Sequence, residues 1–559
     1  MFIRRLVVAV MVASAVAACS SAPPRALTLK EMPGIDTNAV LADTKKLSSD
    51  EFGGRKPGTK GEELTVQYLT QQFKAAGAEP GNPDGTWTQK VPMVGLEATD
   101  QSPLVFKNGG QSLTLKPHDD VIAFSQRVTD TIAVKDSDVV FVGYGVQAPE
   151  YNWDDFKGID VKGKTIVMLV NDPPVSDPND KGALDPKMFG GKAMTLYGRW
   201  TYKYDQAAEL GAAAVLIVHE TAPAGYPWNV VQSFGGERLD LVTPDKNMGR
   251  AAIQGWISLD AATKLFKLAG LDYQKLKAEA ATREFKPVAL KLTGSMSFKQ
   301  TLKTTDSQNV IAKITGSDPN LKNEYIVYSA HWDHFGTCDP VNGDNICNGA
   351  RDNASGTAML LELAREFKIV QPAPKRSILF LCVTSEEQGL LGSEYYAKFP
   401  LYPLNKTLAN INVDELNVWG RTKDLTVIGL GASDLDDYAR DAASEQGRTL
   451  HPDSEPEKGF YYRSDHFNFA KVGVPAFDPD SGTDFIGKPA SFGQEKRDEW
   501  TTKFYHQATD EVQPWWDLSG AAEDGQLFFA MGYRVANADK FPEWKPGNEF
   551  KAIRDKSLK

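Results

Sequence analysis

Apolar residues recur along this chain with two different periods, and the change between them divides it. Glu62–Ala76 places Leu64, Tyr68, Leu69 and Phe73 at near-helical spacing and meets Gly77 as a stop, which predicts a helix. From about Val310 short apolar runs alternate with amphipathic stretches. Tyr325–Ala330, Ser377–Thr384, Leu408–Val413 and Leu425–Leu430 are predicted strands; Ala354–Phe367 and Gly389–Phe399 are predicted helices. That alternation predicts an α/β sheet with helices on its faces, in which chemistry gathers in loops at the carboxyl ends of strands. The middle differs. Val139–Val142, Thr165–Val170 and Ala214–Val218 are short predicted strands separated by Gly, Pro and Asp. Residues 131–290 are therefore expected to form a separate insert, with 36–130 and 291–545 forming the main body.

The first residues read as an address. Leu6–Ala18 is thirteen residues long, apolar apart from Ser14, and follows Arg4 and Arg5. It is too short to span a bilayer but suits the apolar region of a secretory leader. Val16-Ala17-Ala18-Cys19 resembles the lipobox of bacterial lipoproteins. That resemblance implies a leader over 1–18, lipidation of Cys19, a tether over 19–35 and an exported protein whose contact with the membrane is this anchor.

Composition narrows the class. The 559 residues exceed one ordinary core. The net charge of -11 argues against nucleic acid as a partner. Four Cys are too few for a disulfide scaffold. Export permits a small clip between Cys338 and Cys347, with turn residues between them, and Cys382 falls in a predicted core strand. Gly158–Thr165 matches the P-loop expression, but a β-branched apolar run follows where a phosphate-binding helix would be needed, so no nucleotide site is expected.

Histidines and acids concentrate in six short segments: Ser329-Ala-His331-Trp-Asp333-His334, Asp352-Asn353-Ala-Ser-Gly356, Glu386-Glu387-Gln-Gly389, Asn412-Val-Asp414-Glu415, Ser464-Asp465-His466 and Tyr505-His506 with Asp510 behind it. Mixed His and carboxylate ligands suit zinc with open positions for water and substrate. Two His and three carboxylates are the minimum for two metals sharing one bridging carboxylate. Their three negative charges leave two zinc ions a residual positive charge, which favours a bridging hydroxide over water.

In this order the segments resemble the M28 family of co-catalytic zinc peptidases. Gly53–Ala78 and Ser464–Pro475 look similar too. The insert resembles a protease-associated (PA) domain at Gly143-Tyr-Gly145, Asp160–Lys164 and Tyr204–Glu220. The resemblance implies a zinc-exopeptidase-like three-layer α/β sandwich, with a central mostly parallel or mixed sheet, interrupted by a β-rich PA domain. Carried over residue by residue, it implies two Zn2+ per chain: Asp352 bridging, His331 and Asp414 completing one site, Glu387 and His506 the other. Asp333 is expected behind His331, Glu386 as general base, and Tyr461 or Tyr462 at the oxyanion, with the family favouring Tyr461. His506 is preferred to His466 as the last ligand, and His334 is given no role.

The implied activity is exopeptidase hydrolysis of peptides, with an aminopeptidase expected first. Two other readings stand beside it: a glutaminyl-cyclase-like acyltransferase with a single metal, and a non-catalytic receptor-like protein. Arg351 and Glu415 are both candidates for reading a substrate terminus, as a cation for a carboxylate or an acid for an amine. The sequence leaves that choice, the side-chain preference and the oligomeric state open.

Overall fold

A computed structural model describes residues 27–180, 182–232 and 236–559. The leader and Cys19 lie outside the described residues.

The strands Tyr325–His331 and Ser377–Val383 are buried along their whole length. Successive side chains of a strand point to opposite faces, so a run with no polar position must be covered on both. Ile326, Tyr328 and Ala330 enter one core with Ile378, Phe380 and Cys382, against the helices Gly356–Ile369 and Ser519–Asn537. Tyr325 and Val327 enter a second core with Leu379, Leu381 and Val383, against Leu391–Lys398 and His466–Lys471. The result is three layers, helices on both faces of one sheet. Tyr325–His331 lies parallel to Ser377–Val383 on one side and to Thr407–Asn412 on the other. Thr407–Asn412 pairs parallel with Ala476–Asp480, which pairs antiparallel with Asp424–Ile428. The sheet is mixed, and the protein is α/β as expected.

The insert repeats the arrangement on a smaller scale. Thr165–Leu169, Ala214–His219 and Ile253–Ser258 form a parallel group, each buried almost throughout. Alternate residues serve two cores: Val167, Leu169, Leu216 and Val218 on one face, Ile166, Met168, Val215 and Ile217 on the other. The strand at Thr165 confirms that no helix follows the P-loop-like segment.

Three boundaries differ from expectation. Leu104, Phe106, Leu115, Val121 and Ala123 pack into the insert's core, so the second core begins near residue 104 and not at 131. The two bodies are joined by a ribbon: Thr88–Thr99 runs antiparallel to the 27-residue strand Val288–Ile314, in register from Thr99 opposite Lys299 to Thr88 opposite Val310. The long strand pairs with Thr131–Phe141 at its start and Ser377–Val383 at its end. The tether is also shorter than expected. Leu29 and Met32 are buried in the main core, and the Leu29 amide donates to Glu445. Beyond residue 545, Phe550 is buried and Arg554 donates to the carbonyls of Leu404 and Thr407, so the end of the chain closes the main body. Among the described residues no helix is long and apolar enough to cross a membrane.

Candidate metal centre

Loops at the carboxyl ends of neighbouring parallel strands bring the six segments together. His331 ends Tyr325–His331, Glu386 and Glu387 follow Ser377–Val383, and Asp414 follows Thr407–Asn412. Asp352 lies just before the helix Gly356–Ile369, and His506 follows the helix Phe492–Lys503. All of them line one cavity of about 540 Å3.

Asp352 is the centre of the cluster. Its Oδ1 lies 3.2 Å from His331 Nε2 and its Oδ2 3.4 Å from His506 Nε2. His331 Nε2 is also 3.2 Å from Asp414 Oδ1, and His506 Nε2 is 3.3 Å from Glu387 Oε2. One carboxylate thus faces two histidines, each with a further acid beside it. Donor atoms of His331, Asp352 and Asp414 converge closely enough to hold a cation, as do those of His334, Asp352 and Glu387.

The electrostatics match a cation site. Burial pushes Glu387 well above the usual carboxylate range, and the charges of Asp352 and Glu386 push it further. Burial also raises Glu386, with Asp414, Asp465 and Asp352 adding to it against His331. Burial opposes ionisation of Asp352, but hydrogen bonds with His331 and His506 hold it well below the ordinary range. Acids this crowded in a low-dielectric site lack compensating positive charge, which is what divalent cations supply. The donor set, imidazoles with carboxylates and no thiolate, fits zinc with open positions.

A second set of residues holds the donors in place. Asp333 lies behind His331, its carboxylate 3.8 Å from Nδ1 and its carbonyl 3.2 Å from the same atom, and it accepts the Glu386 amide. Ser464 donates to Asp414 at 2.6 Å, and Asn412 donates to Ser464. Asp510 accepts the amides of Arg351 and Asp352, so it anchors the Asp352 segment. Ser385, Glu415 and His506, each in or beside a donor segment, adopt positive φ (54°, 64° and 58°), a strained backbone that packing must hold.

Several placements depart from the sequence reading. Tyr461 is a correction: it does not line the cavity. Gly429, whose Cβ would lie 2.4 Å from the Tyr461 ring, admits that ring to the interior, where it stacks on Phe550 and meets the edge of His466. Tyr462 also turns inward and donates to Glu549. The tyrosine that does line the cavity is Tyr505, stacked on His506 at 3.7 Å. His466 lies beside Asp478, away from the donor cluster. His334, left without a role, is buried with Nδ1 2.5 Å from Glu387 Oε1. Cys338 and Cys347 are disulfide-bonded, and Cys382 is a buried free thiol. Arg351 and Glu415 pair with each other at 2.7 Å, the guanidinium held between Trp419 and Trp500 at 4.5 Å from each ring.

Arg55 lies in the family-like segment Gly53–Ala78 but was given no role. It is buried and donates to the carbonyls of Trp332, Leu47, Asn348 and Gly349. It thus ties the His331 loop to the segment before Asp352. Gly54 permits the approach, since a Cβ there would lie 2.5 Å from the Cys347 carbonyl oxygen.

The chain is similar to aminopeptidase YwaD of Bacillus subtilis, 30% identical over 242 residues, which is 42% of this chain and 46% of that protein. It is 45% identical over 91 residues, 16% of this chain, to a Pyrenophora teres f. teres protein described as "Probable zinc metalloprotease". The chain spans 18% of the length of that relative and under half of the length of YwaD. An aminopeptidase from Aneurinibacillus sp. strain AM-1 superposes with a TM-score of 0.47 at 20% identity, over 92% of this chain and 96% of that one. Residues 309–530, which contain every donor described above, match the model of peptidase family M28.

Proposed function

We propose that this protein is a zinc-dependent exopeptidase, an aminopeptidase in the first instance, with two zinc ions held by His331, Asp352, Asp414, Glu387 and His506. The observation that carries the reading is Asp352, whose two oxygens face different histidines. Similarity to the M28 family and to YwaD supports it.

Bound zinc would polarise the scissile carbonyl and lower the pKa of the attacking water. The chain's own groups do the rest. Glu386, with Oε2 4.0 Å from His331 Nε2, stands at the edge of the donor cluster. Its carboxylate takes a proton from the attacking water and returns it to the leaving amine nitrogen. Asp333 fixes the His331 ring through Nδ1, so that Nε2 points to Asp352 and Asp414, where it would be a zinc ligand. His334 holds Glu387, and Ser464 holds Asp414. Tyr505, at the cavity wall beside His506, replaces Tyr461 as the candidate to hydrogen-bond the developing oxyanion.

The same proposal covers the insert as a PA domain, export, and anchoring through Cys19. The leader-like first residues support export, as does the Cys338–Cys347 disulfide, a bond favoured outside reducing compartments. An acyl mass shift on Cys19 in protein purified from membranes tests the anchor.

A panel of N-blocked and C-blocked peptides assayed with zinc tests the activity. Cleavage that needs a free amino group is the expected result. A single tightly bound metal with cyclisation of N-terminal glutamine would favour the cyclase reading instead.

A further inference from the structure

The cavity wall carries four cationic side chains, and three of them are neutralised. Arg351 pairs with Glu415 at 2.7 Å, Lys458 with Glu455 at 2.7 Å and Arg497 with Asp480 at 3.1 Å. Arg463 is the exception. Its guanidinium is exposed at the cavity, lies over the Phe460 ring at 5.4 Å and has no acidic partner among the described residues.

A second guanidinium, that of Arg199, lies within reach of the Arg463 charge. Arg199 comes from the insert, whose segment around it docks on the loop that carries Arg463. The Met194 amide donates to the Pro456 carbonyl, Lys192 pairs with Glu457 at 3.3 Å, and Leu196 packs among the residues around Tyr461 and Tyr462. Arg199 Nε is buried and has no hydrogen-bond partner. Burial first, and the Arg463 charge second, pull the Arg199 guanidinium down to about 10, with only the phenols of Tyr226 and Tyr462 opposing. A buried cation without an acidic partner is costly unless an anion comes within reach of it.

We infer that Arg463, backed by Arg199, is a binding site for a carboxylate of the substrate, so that the preferred substrates are short peptides carrying an anionic group. The inference rests on the peptidase reading above. A guanidinium presents a planar fork that fits a carboxylate with two hydrogen bonds. A cavity of about 540 Å3 is of small-ligand size. The partner carboxylate has two sources, the α-carboxylate of a short peptide and an Asp or Glu side chain within it. The Arg351–Glu415 pair does not compete for this role, because each group already satisfies the other.

The test compares kcat/KM for Leu-Gly-Gly, its C-terminal amide and Leu-Glu-Gly-amide. The wild type should favour one of the two anionic peptides over the neutral amide by about 10- to 100-fold, as a charge-assisted hydrogen bond implies. Preference for Leu-Gly-Gly identifies the α-carboxylate, and preference for Leu-Glu-Gly-amide identifies the side chain. Arg463→Gln should bring that ratio to near 1, Arg463→Lys should retain part of it, and Arg199→Gln should reduce it. Arg199→Lys, which keeps the buried charge, covers the case in which Arg199→Gln does not fold. A ratio near 1 in the wild type, or a ratio that survives Arg463→Gln, overturns the inference. A purely structural role for Arg463 would lower all three rates together and leave the ratio intact. Cleavage without an anionic preference refutes only this inference, whereas no zinc-dependent cleavage of any peptide refutes the peptidase reading and the inference with it.

Discussion

Replacing Arg55 with methionine should destabilise the main body by about 4 kcal/mol, although Arg55 touches no proposed substrate or metal. The figure follows from its contacts. The guanidinium donates to four carbonyls: Trp332 at 2.8 Å, Leu47 at 2.9 Å, Asn348 at 2.5 Å and Gly349 at 2.8 Å. A hydrogen bond to a charged group contributes about 1.5–3 kcal/mol net, and a buried carbonyl left without a donor costs about 1–3 kcal/mol. The four share one side chain and do not add fully. Against them stands the cost of burying the charge, which draws the guanidinium down to about 10 even though Asp510, Asp333, Asp352 and Glu387 partly compensate it. Methionine relieves that cost and keeps volume, so the net is well below the simple sum. Arg55→Lys keeps the charge but cannot span four acceptors, and should lose roughly half as much. Urea titration of metal-free protein gives the stability change, and hydrogen exchange at residues 331–352 reports whether the two loops open. A loss under about 1 kcal/mol, with exchange in those loops unaltered, would refute the claim that Arg55 pins them.

Four further outcomes are expected. Glu386→Gln should keep both metals by elemental analysis while turnover falls by about 100- to 10,000-fold; full activity would show that Glu386 is not the base. Chelation should abolish hydrolysis, added zinc should restore it, and the metal content should approach two per chain; activity in the stripped protein would remove the mechanism. A non-reduced digest should yield a Cys338–Cys347 linked peptide, and the double Ser variant should lose about 2–3 kcal/mol through the freer unfolded chain; two free thiols would disprove the link. Burial pushes Asp155 up to about 7 against hydrogen bonds from the Val146 amide and Trp153. Between about pH 4 and 7 the unfolded chain has released this proton while the folded chain keeps it. Stability therefore falls as pH rises, by at most roughly 1.4 kcal/mol per unit. Asp155→Asn should flatten that slope in thermal melts from pH 4 to 7, and an unaltered slope would exclude Asp155 as its source.

What could be read in advance follows from how each feature is encoded. His331, Glu387 and Asp414 were legible because each closes or follows an apolar run that reads as a buried strand, as His331 follows Tyr325–Ala330, whereas Asp352 and His506 lie beside helices and were marked only by the family-like order of the segments. The three-layer sheet was legible for the same reason. The joint between the bodies was not. The middle of Val288–Ile314, Thr301 to Thr304, is exposed, because there the strand is an edge paired with Thr88–Thr99 alone. Polar and Lys-rich, it carries no apolar run to mark it as strand. Side-chain direction is a second kind of blindness. Tyr461 and Tyr462 are neighbours on one short turn, and both face inward because Gly429 and Phe550 leave room for a ring there. Nothing within the Phe-Tyr-Tyr-Arg segment records that space. Arg55 is a third case: its acceptors are backbone carbonyls, two of them more than 290 positions away, and a carbonyl has no residue identity to form a motif. Arg463 is hidden more deeply, since what distinguishes it from Arg351, Lys458 and Arg497 is a missing partner. A sequence shows which charges exist, and only the folded chain shows which of them remain uncancelled where a substrate can reach.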